Sequence, residues 1–453
     1  TLTTSSPTLT TSIPTISSSS PVTSSSSPTI LTSDPTTSSS TPTTSSSSPT
    51  ILTSTPTTLT INSIVPSSSP TTSIMTSAPP LPSQQNPTFV GLPPSNITVG
   101  AYYYPWQGDD FHGGNYLRKH LNQQPYLGEY DDSNPQVIAK HLEWSRQANI
   151  RLWITSWWGP NGREDKTTKD VILTHTDLLG SDHKVALFYE TTGRITKEDD
   201  YSLERIEPDI EYISTTYFDH PNYYRIDGRP VLFIYLPRKL EILGTMQDAI
   251  SRIRSTATSQ GYNNLFLIGV HVWQHPPSSG STANNVDFPP FSYLDALTNY
   301  DVYGSMIGKS MYAGQDVVAD YYEKQRQWKV QANDNDCGYI PAVTPGYNDR
   351  GIRLDANHLP LSRKLTNNDD KEGSFFASQL EYATNLVDYS TNNLLLVNSF
   401  NEWHEDTQIE PAVDATTTTN PKSQEYTNGV EYQGYGELYL NLLRNATSST
   451  TTA

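Results

Sequence analysis

The sequence predicts an α/β fold, a (β/α)8 TIM barrel preceded by a long disordered segment rich in Ser, Thr and Pro. Three observations support this prediction. From residue 97 onward there are eight short apolar or aromatic runs, helix-like stretches separate them, and no glycine-rich phosphate loop follows the first run. Such a loop is typical of the alternative fold, an open doubly wound sheet, which is therefore the second choice.

Residues 1–95 form the predicted disordered segment. They contain a single charged residue, Asp34, and neither Tyr nor Trp. A segment of this composition cannot bury enough apolar surface to offset the entropy lost on ordering its backbone. It also carries an internal repeat, because residues 24–37 and 45–58 differ at one position only. Hydroxyl-rich, proline-punctuated repeats resemble O-glycosylated stalks, and a plain spacer is the alternative.

The predicted elements of the barrel follow in chain order, within a catalytic domain at 96–445 and before a disordered tail at 446–453. The strand-like runs are Val99–Tyr104, Arg151–Trp157, Lys184–Glu190, Pro230–Leu236, Leu265–His271, Asp301–Met306, Tyr339–Thr344 and Leu394–Phe400. The helix candidates are Pro135–Ile150, Ser202–Thr216, Gly244–Gln260, Gln315–Gln331 and Ser374–Tyr389. Pro135 suits the first turn of a helix, because its missing N–H has no helical partner there.

Charge and cysteine content exclude several classes of function. The formal net charge is −18, which disfavours binding to nucleic acids and to anionic membrane surfaces. One cysteine, Cys337, permits neither an intrachain disulfide nor a cysteine-based metal site. No apolar run is long enough to span a bilayer, and we expect any signal peptide or anchor to be missing from the given chain. We expect a monomer.

Two N-glycosylation sequons, at Asn96 and Asn445, flank the predicted barrel. Each triplet is a weak signal alone, but beside the stalk they favour a secretory route. The predicted location is the Golgi lumen or the extracellular space.

The carboxyl ends of barrel strands are where active sites gather, and in this chain they carry many aromatic residues. Those singled out are Tyr104, Trp106, Trp157, His271, Tyr303 and Tyr347. Aromatic faces stack on sugar rings and carboxylates pair with hydroxyls, so the mixture indicates a carbohydrate cleft. For any one of these aromatic residues, a place in the core is the alternative.

Glu402 and Glu405 are the most informative pair, because they follow the strongly apolar run Leu394–Val397. Glycosidic cleavage needs one carboxyl that protonates the departing oxygen and a second that supplies or unmasks a nucleophile. Two acids in one pocket also raise the pKa of one of them through mutual repulsion. A solvated acidic loop is the alternative interpretation.

The run SFNEWHEDTQIE at 399–410 resembles the signature of glycoside hydrolase family 99, the endo-α-1,2-mannosidases and endo-α-1,2-mannanases. Weaker family-like stretches occur in the expected order over about residues 98–442. They are YYYPW at 102–106, LGEY at 127–130, TSW at 155–157, FYE at 188–190, YYR at 223–225, DVY at 301–303 and PGY at 345–347.

This resemblance implies a barrel enzyme that retains anomeric configuration and acts on α-mannosides through a 1,2-anhydro sugar, without a metal or cofactor. Glu402 would deprotonate the sugar 2-hydroxyl, and Glu405 would act as general acid and then general base. Glu190 would contact the same sugar, while Trp157 and Tyr303 would line the pocket. The remaining predicted substrate-binding residues are Tyr104, Trp106, His271, Tyr347, Asn401, Trp403 and His404. The implied substrate is a mannose-containing oligosaccharide or glycoprotein.

The chain departs from the family pattern at two places. The family usually has Gly where this chain has Asp406, which places a third negative charge beside Glu405 and is expected to raise its pKa or alter the turn. After Glu190 the family often has Pro, whereas this chain has Thr191 and Thr192.

Other functions remain as alternatives. A non-catalytic, stalked carbohydrate-binding surface protein would keep the cleft without turnover. A metal hydrolase would use the neighbouring residues His404, Glu405 and Asp406, with His271 and His275, but this spacing matches no known metal motif. Serine and cysteine nucleophile signatures are absent from the sequence.

Overall fold

The computed structural model of the protein describes residues 96–108, 117–197, 200–271, 291–306, 310–418 and 422–448. The predicted stalk therefore lies outside the described residues. The main sheet is built from strands β1 Thr98–Tyr103, β2 Ile150–Trp157, β3 Lys184–Tyr189, β4 Arg229–Tyr235, β5 Phe266–His271, β6 Ala296–Asn299, β7 Gly338–Ile340 with Ala342–Val343, and β8 Leu394–Val397. Every neighbouring pair among these strands is parallel.

The strand order is that of a barrel. β1 to β6 pair in sequence, β1 also pairs with β8, and β7 pairs with β6 through its first segment and with β8 through its second. Pro341 separates the two segments of β7, because proline has no N–H to donate to a ladder. Its carbonyl still accepts the Leu396 N–H at 3.0 Å. β7 thus joins β6 to β8 and completes the circle of strands, which confirms the predicted (β/α)8 fold class.

The sixth strand was predicted in the wrong place. The segment predicted as Asp301–Met306 contains a helix, Val302–Met306, and the strand lies earlier, at Ala296–Asn299. The Asp301 carboxylate accepts the backbone N–H of Gly304, which stabilises a helical turn rather than an extended chain. The eighth strand also ends at Val397 instead of Phe400.

Helices surround the sheet. The longer ones are Pro135–Gln147, Ile206–Ile213, Met246–Ser259, Gln315–Asn333, Ser374–Ala383 and Leu438–Thr447. Shorter α-helices are Arg163–Lys166, Thr191–Arg194, Pro237–Ile242, Val302–Met306 and Ser423–Thr427. Single 3-10 turns lie at Leu117–His120, Phe291–Tyr293, Leu354–Ala356 and Tyr389–Thr391, and π-helical turns at Thr167–Ile172 and Ser214–Phe218. Short strands occur at Thr196–Lys197 with Asp200–Tyr201, and at Arg225–Ile226 beside β4.

One predicted helix start and the predicted end of the domain can be compared with the structure. The first long helix begins at Pro135 as expected, and the side chain of Asn134 caps it by accepting the Gln136 N–H at 3.0 Å. The last helix continues to Thr447, so the domain end predicted at residue 445 falls inside it. None of the described helices is both long and apolar enough to cross a bilayer.

Side chains alternate between the barrel interior and the helical layer along each strand. On β1, Tyr102 points inward, where its ring packs 5.0 Å from that of Phe188. Tyr103 points outward, stacked 4.3 Å from Trp153 and bonded to His141 of the first long helix. This alternation decides which residues at the strand ends face the mouth of the barrel.

Candidate active site

The loop after β8 is held in a fixed conformation by its own hydrogen bonds. The Ser399 hydroxyl accepts the Glu402 N–H at 2.8 Å, and the Ser399 N–H donates to the Thr407 carbonyl at 2.7 Å. The Asn348 N–H, from the loop after β7, donates to the Glu405 carbonyl at 2.7 Å. Hydrogen bonds within the loop and from the loop after β7 therefore fix the backbone that carries the two glutamates.

Asn401 joins this loop to the end of β1. Its side-chain oxygen accepts the Tyr104 N–H at 2.8 Å, and its side-chain nitrogen donates to the Tyr104 carbonyl at 3.0 Å. Asn401 is completely buried. Both polar atoms of the amide are thus used within the protein, so Asn401 positions the loop and does not offer its side chain to a sugar.

Glu402 lies at the base of the site and is buried. Its Oε1 accepts the backbone N–H of His404 at 2.8 Å and lies 2.9 Å from His404 Nδ1. The His404 ring in turn lies edge-on to the Trp106 ring, with 5.8 Å between the centroids. One carboxylate oxygen of Glu402 is therefore fixed by the protein.

Glu405 is partly exposed, with 18% of its side chain accessible. Its Oε1 lies 2.9 Å from Arg353 Nη1, and the same nitrogen lies 3.2 Å from Asp349 Oδ2. Burial and the negative charge of Glu402 raise the pKa of Glu405 to about 7, against the opposing effect of Arg353. Near neutral pH this carboxyl can thus be populated in both its protonated and its ionised form.

Glu190, at the end of β3, is a third carboxyl near the pair. It is buried, and its Oε1 accepts a hydrogen bond from the Ser156 hydroxyl at 2.7 Å. Burial raises the pKa of Glu190 to about 8, with further contributions from the negative charges of Glu405 and Glu402. The three carboxyls therefore interact electrostatically, although they come from two strand ends.

Tyrosines from several strand ends face this acidic group. Burial raises the pKa of each, and the charge of Glu405 acts in the same direction on all of them: Tyr104, Tyr235, Tyr300, Tyr303 and Tyr347. The Tyr303 and Tyr347 rings stack 3.7 Å apart, and the hydroxyls of Tyr104 and Tyr300 are hydrogen-bonded. Trp106 packs 4.7 Å from Tyr104. The structure thus brings together the predicted residues Tyr104, Trp106, Tyr303 and Tyr347 with the glutamates.

Trp157 does not line the site, contrary to the sequence analysis. It is completely buried, its indole N–H donates to Asp165 at 2.9 Å, and its ring stacks on Tyr189 and Tyr212. The strand alternation turns Trp157 toward the helical layer and Trp158 toward the mouth. The Trp158 indole N–H donates to the Ser156 hydroxyl at 2.9 Å, and 37% of this residue is exposed.

Trp403 and His271 are also buried rather than open to a ligand. The Trp403 indole N–H donates to Glu410 at 2.8 Å, and the same carboxylate accepts the Tyr130 hydroxyl at 2.7 Å. His271 ends β5, where burial lowers its pKa to about 3 and keeps the imidazole neutral. Val272, Trp273 and His275 lie outside the described residues.

Asp406 has a role that the sequence analysis did not foresee. Its backbone is left-handed, with φ of 55°, a conformation that suits Gly, Asn or Asp. Its buried carboxylate lies 2.7 Å from Arg118 Nη2 and 3.2 Å from Arg363 Nη2. The expected third negative charge beside Glu405 is thus paired with two guanidinium groups, and the carboxylate anchors the loop.

Some neighbours of the glutamates were not singled out from the sequence: Ser156, Trp158, Tyr235, Tyr300, Asp349 and Arg353. The alternation of β2 could have distinguished Trp158 from Trp157. Tyr300 could not be found, because the sixth strand was misplaced. Arg353 lies on a long loop after β7, and nothing in the local sequence indicates that it contacts Glu405.

The side chain of Thr191, one of the two departures from the family pattern, donates to the Tyr235 carbonyl.

Among the described residues, no group of three or more His, Cys, Asp or Glu side chains is arranged to hold a metal ion. The adjacent residues His404, Glu405 and Asp406 bond to different partners: Glu402, Arg353 and the two arginines of the loop anchor. This arrangement gives no support to the metal-hydrolase alternative.

Two family models match the sequence. The one described as glycosyltransferase WbsX matches residues 186–418, and the one described as glycosyl hydrolase family 99 matches residues 119–243. The second region includes Trp158 and Glu190, and the first includes the loop with Glu402 and Glu405.

Similar proteins agree with these matches. The glycoprotein endo-alpha-1,2-mannosidase of Mus musculus is 26% identical over 78% of this chain and 75% of its own. The glycoprotein endo-alpha-1,2-mannosidase of Rattus norvegicus is 25% identical over 82% of this chain and 78% of its own.

Solved structures show the same fold. The GH99 endo-alpha-mannosidase of Bacteroides thetaiotaomicron superposes with a TM-score of 0.53 at 22% identity, over 77% of this chain and 95% of that one. A glycoside hydrolase-like protein gives a TM-score of 0.54 at 19% identity, over 78% and 94%. The glycosyl hydrolase family 99 model and the relatives together identify a glycosidase. The chain belongs to the family described as glycosyltransferase WbsX, whose model matches residues 186–418, and the family 99 model over residues 119–243 together with the mannosidase relatives supports membership of glycosyl hydrolase family 99.

Proposed function

We propose that the protein is a retaining endo-α-1,2-mannosidase that hydrolyses α-mannosidic bonds in N-glycans or mannan through a 1,2-anhydro sugar. The observation that carries this proposal is the pairing of Glu402 with Glu405 on one anchored loop, where the charge of Glu402 helps to raise the pKa of Glu405 to about 7. A fixed carboxylate beside a carboxyl that can exchange a proton near neutrality is what such a reaction needs. The names of the mammalian relatives support the α-1,2-mannoside as substrate.

The first step forms the anhydro sugar. Glu402 takes the proton of the sugar 2-hydroxyl, and the oxygen attacks C1 from the face opposite the leaving group, since the two are trans in an α-mannoside. The bond from C1 to the leaving oxygen breaks as Glu405 donates its proton to that oxygen. No enzyme nucleophile is consumed.

The second step opens the strained ring. Glu405, now ionised, takes a proton from water as the water oxygen attacks C1. The bond between C1 and O2 breaks, and O2 recovers its proton from Glu402. Both glutamates return to their starting states, and the two inversions at C1 leave the anomeric configuration retained.

The other residues of the site would bind the sugar. Glu190 has a pKa of about 8 and is therefore largely protonated near neutrality, which allows it to donate a hydrogen bond to a sugar hydroxyl. We assign the aromatic wall to Trp158, Tyr303 and Tyr347, because Trp157 is buried behind the strand. We also propose that residues 96–445 form the catalytic domain, that residues 1–95 are a stalk, and that the protein works in the secretory pathway.

Transfer to a second sugar is an alternative outcome of the same chemistry, which the match to the WbsX glycosyltransferase model favours. In that case the attacking group in the second step is a sugar hydroxyl instead of water. A non-catalytic carbohydrate-binding protein is the remaining alternative from the sequence analysis.

One experiment separates these functions. The protein is incubated with high-mannose glycans and with α-mannan, with and without added mannobiose, and the products are identified by mass. Released oligosaccharides of two or more sugars support an endo-acting hydrolase, products lengthened by mannobiose support transfer, and bound but intact glycan supports a binding protein. A loss of activity with EDTA would instead favour the metal-hydrolase interpretation.

A further inference from the structure

In the part of the chain that the structure describes, Arg353 is the cationic side chain that pairs directly with Glu405. Its Nη1 bridges Glu405 Oε1, at 2.9 Å, and Asp349 Oδ2, at 3.2 Å. The Asp349 carboxylate is completely buried and also lies 2.7 Å from His358 Nδ1. Asp349 thus holds the guanidinium in place from the protein side, and Glu405 meets it from the pocket side.

Apart from Arg353 and two histidines, His358 beside Asp349 and His404 beside Glu402, the described groups around Glu405 are acidic or phenolic. Its own loop supplies Glu402, the end of β3 supplies Glu190, and the loop after β7 supplies Asp349. The phenols that interact with it are Tyr104, Tyr235, Tyr300, Tyr303 and Tyr347. The neighbouring carboxylate of Asp406 is paired with Arg118 and Arg363. Without Arg353, Glu405 would therefore face burial and repulsion together, both of which favour its protonated form.

We propose that Arg353 is a positioning residue that, through its ion pair with Glu405, balances the charge of Glu402 and lets one carboxyl both release and accept a proton near neutral pH. This inference rests on the roles proposed above for the two glutamates. A general acid that must serve next as general base works best when neither form is strongly favoured at the working pH. Burial and the charge of Glu402 favour the protonated form of Glu405, and the charge of Arg353 favours its ionised form.

The same ion pair orients the carboxyl. Oε1 is fixed by the guanidinium, which leaves Oε2 as the oxygen that carries and transfers the proton. Arg353 is itself half exposed, with 48% of its side chain accessible. It therefore sits at the rim of the site and acts on the reaction through Glu405, without a requirement that it touch the sugar.

The test is the pH dependence of kcat/KM on an α-1,2-mannoside for the wild type, Arg353→Gln and Arg353→Lys. The alkaline limb reports the loss of the proton from Glu405. Arg353→Gln should move this limb upward by about one pH unit or more, because a neighbouring guanidinium typically lowers a carboxyl pKa by that amount. Arg353→Lys, which retains the positive charge, should move the limb less.

Arg326→Gln is the matched control. Arg326 is 45% exposed in its side chain and pairs with Glu323 on the surface of the helix Gln315–Asn333, so its loss should leave the profile unchanged. A fall in the rate of Arg353→Gln with no shift of the alkaline limb, or a downward shift, would overturn the inference. Full activity of Glu405→Gln would instead overturn the proposed function itself, so the two failures are distinguishable.

Discussion

The side-chain amide of Asn401 pairs with both backbone groups of Tyr104, at 2.8 and 3.0 Å, and thereby ties the loop after β8 to the end of β1. Asn401, the residue that precedes Glu402, is therefore fixed to the backbone that follows β1. The position of the acidic pair depends on this clamp as well as on the hydrogen bonds within the loop.

Replacement of Asn401 by Ala should lower both stability and activity. Two buried backbone groups of Tyr104 would lose their partners, at a cost of about 1–3 kcal/mol each in the free energy of unfolding. The loop would also lose its attachment to β1, which would displace Glu402 and Glu405. We therefore expect kcat to fall by a larger factor than KM changes. Urea unfolding and steady-state kinetics measure the two effects. Asn335→Ala, an exposed amide that donates to the Gln331 carbonyl, is the control and should change neither.

The sequence was most informative where function depends on a short local run. Glu402 and Glu405 follow a buried strand directly, and one loop carries both, so their proximity could be predicted without the structure. Arg353 and Tyr300 reach the same pocket from separate segments, and only tertiary structure brings them there. Asp406 illustrates the same limit, because its two arginine partners lie 288 and 43 residues away.

The assignment of one residue to the wrong face of a strand had a larger consequence for the site than an error of several residues in the position of a strand. Trp157 and Trp158 are adjacent, but strand alternation sends one into the helical layer and the other to the mouth. The misplaced sixth strand displaced a whole segment and still left Tyr303 near the pocket. An error in a strand's bounds changes where the strand begins and ends, whereas a shift by one residue exchanges the side chains that face the barrel mouth with those that face the helices.

The two tryptophans give a direct test of this assignment. Trp157→Phe should lower the unfolding free energy by about 1–3 kcal/mol, because the buried Asp165 carboxylate loses the indole N–H. Trp158→Ala should leave stability nearly unchanged and reduce kcat/KM, because we assign it to the sugar-facing wall. Thermal melting and kinetics on the same preparations check both. The opposite pattern, with Trp158 stabilising and Trp157 catalytically important, would show that the faces are reversed.

Asp406 should contribute strongly to stability through its buried ion pairs. Asp406→Asn keeps a residue that tolerates the left-handed backbone but leaves Arg118 and Arg363 without their carboxylate, which should cost about 3–5 kcal/mol. Denaturant unfolding measures this loss. The comparison variant is Asp320→Asn, whose exposed pair with Lys324 should contribute about 1 kcal/mol or less. Equal effects of the two substitutions would contradict the proposed anchor.

Glu190 should make stability depend on pH in a defined direction. Its folded pKa of about 8 lies above the ordinary value, so the folded state holds the proton more tightly than the unfolded state. Its contribution to stability is complete below the ordinary carboxyl pKa and is lost as pH rises through about 8. Glu190→Gln should therefore gain on the order of 1 kcal/mol or more relative to wild type between about pH 5 and pH 9.

Melting temperatures of the wild type and Glu190→Gln across this pH range check the prediction. Glu405 is present in both proteins, so its own titration largely cancels in the difference. Gln at position 190 can still accept the Ser156 hydroxyl, which keeps that hydrogen bond. A difference that is constant with pH, or that favours the wild type at high pH, would mean that Glu190 is already ionised in the folded protein.

The most direct measurement of the central claim is the rate at which the wild type, Glu402→Gln and Glu405→Gln release oligosaccharides from an α-1,2-linked mannan, with binding measured in parallel. We predict that the wild type releases them with retained configuration, and that each amide variant binds the glycan but turns over slower by about 100-fold or more. If either variant works at close to the wild-type rate, the two glutamates do not share the chemistry in the way described.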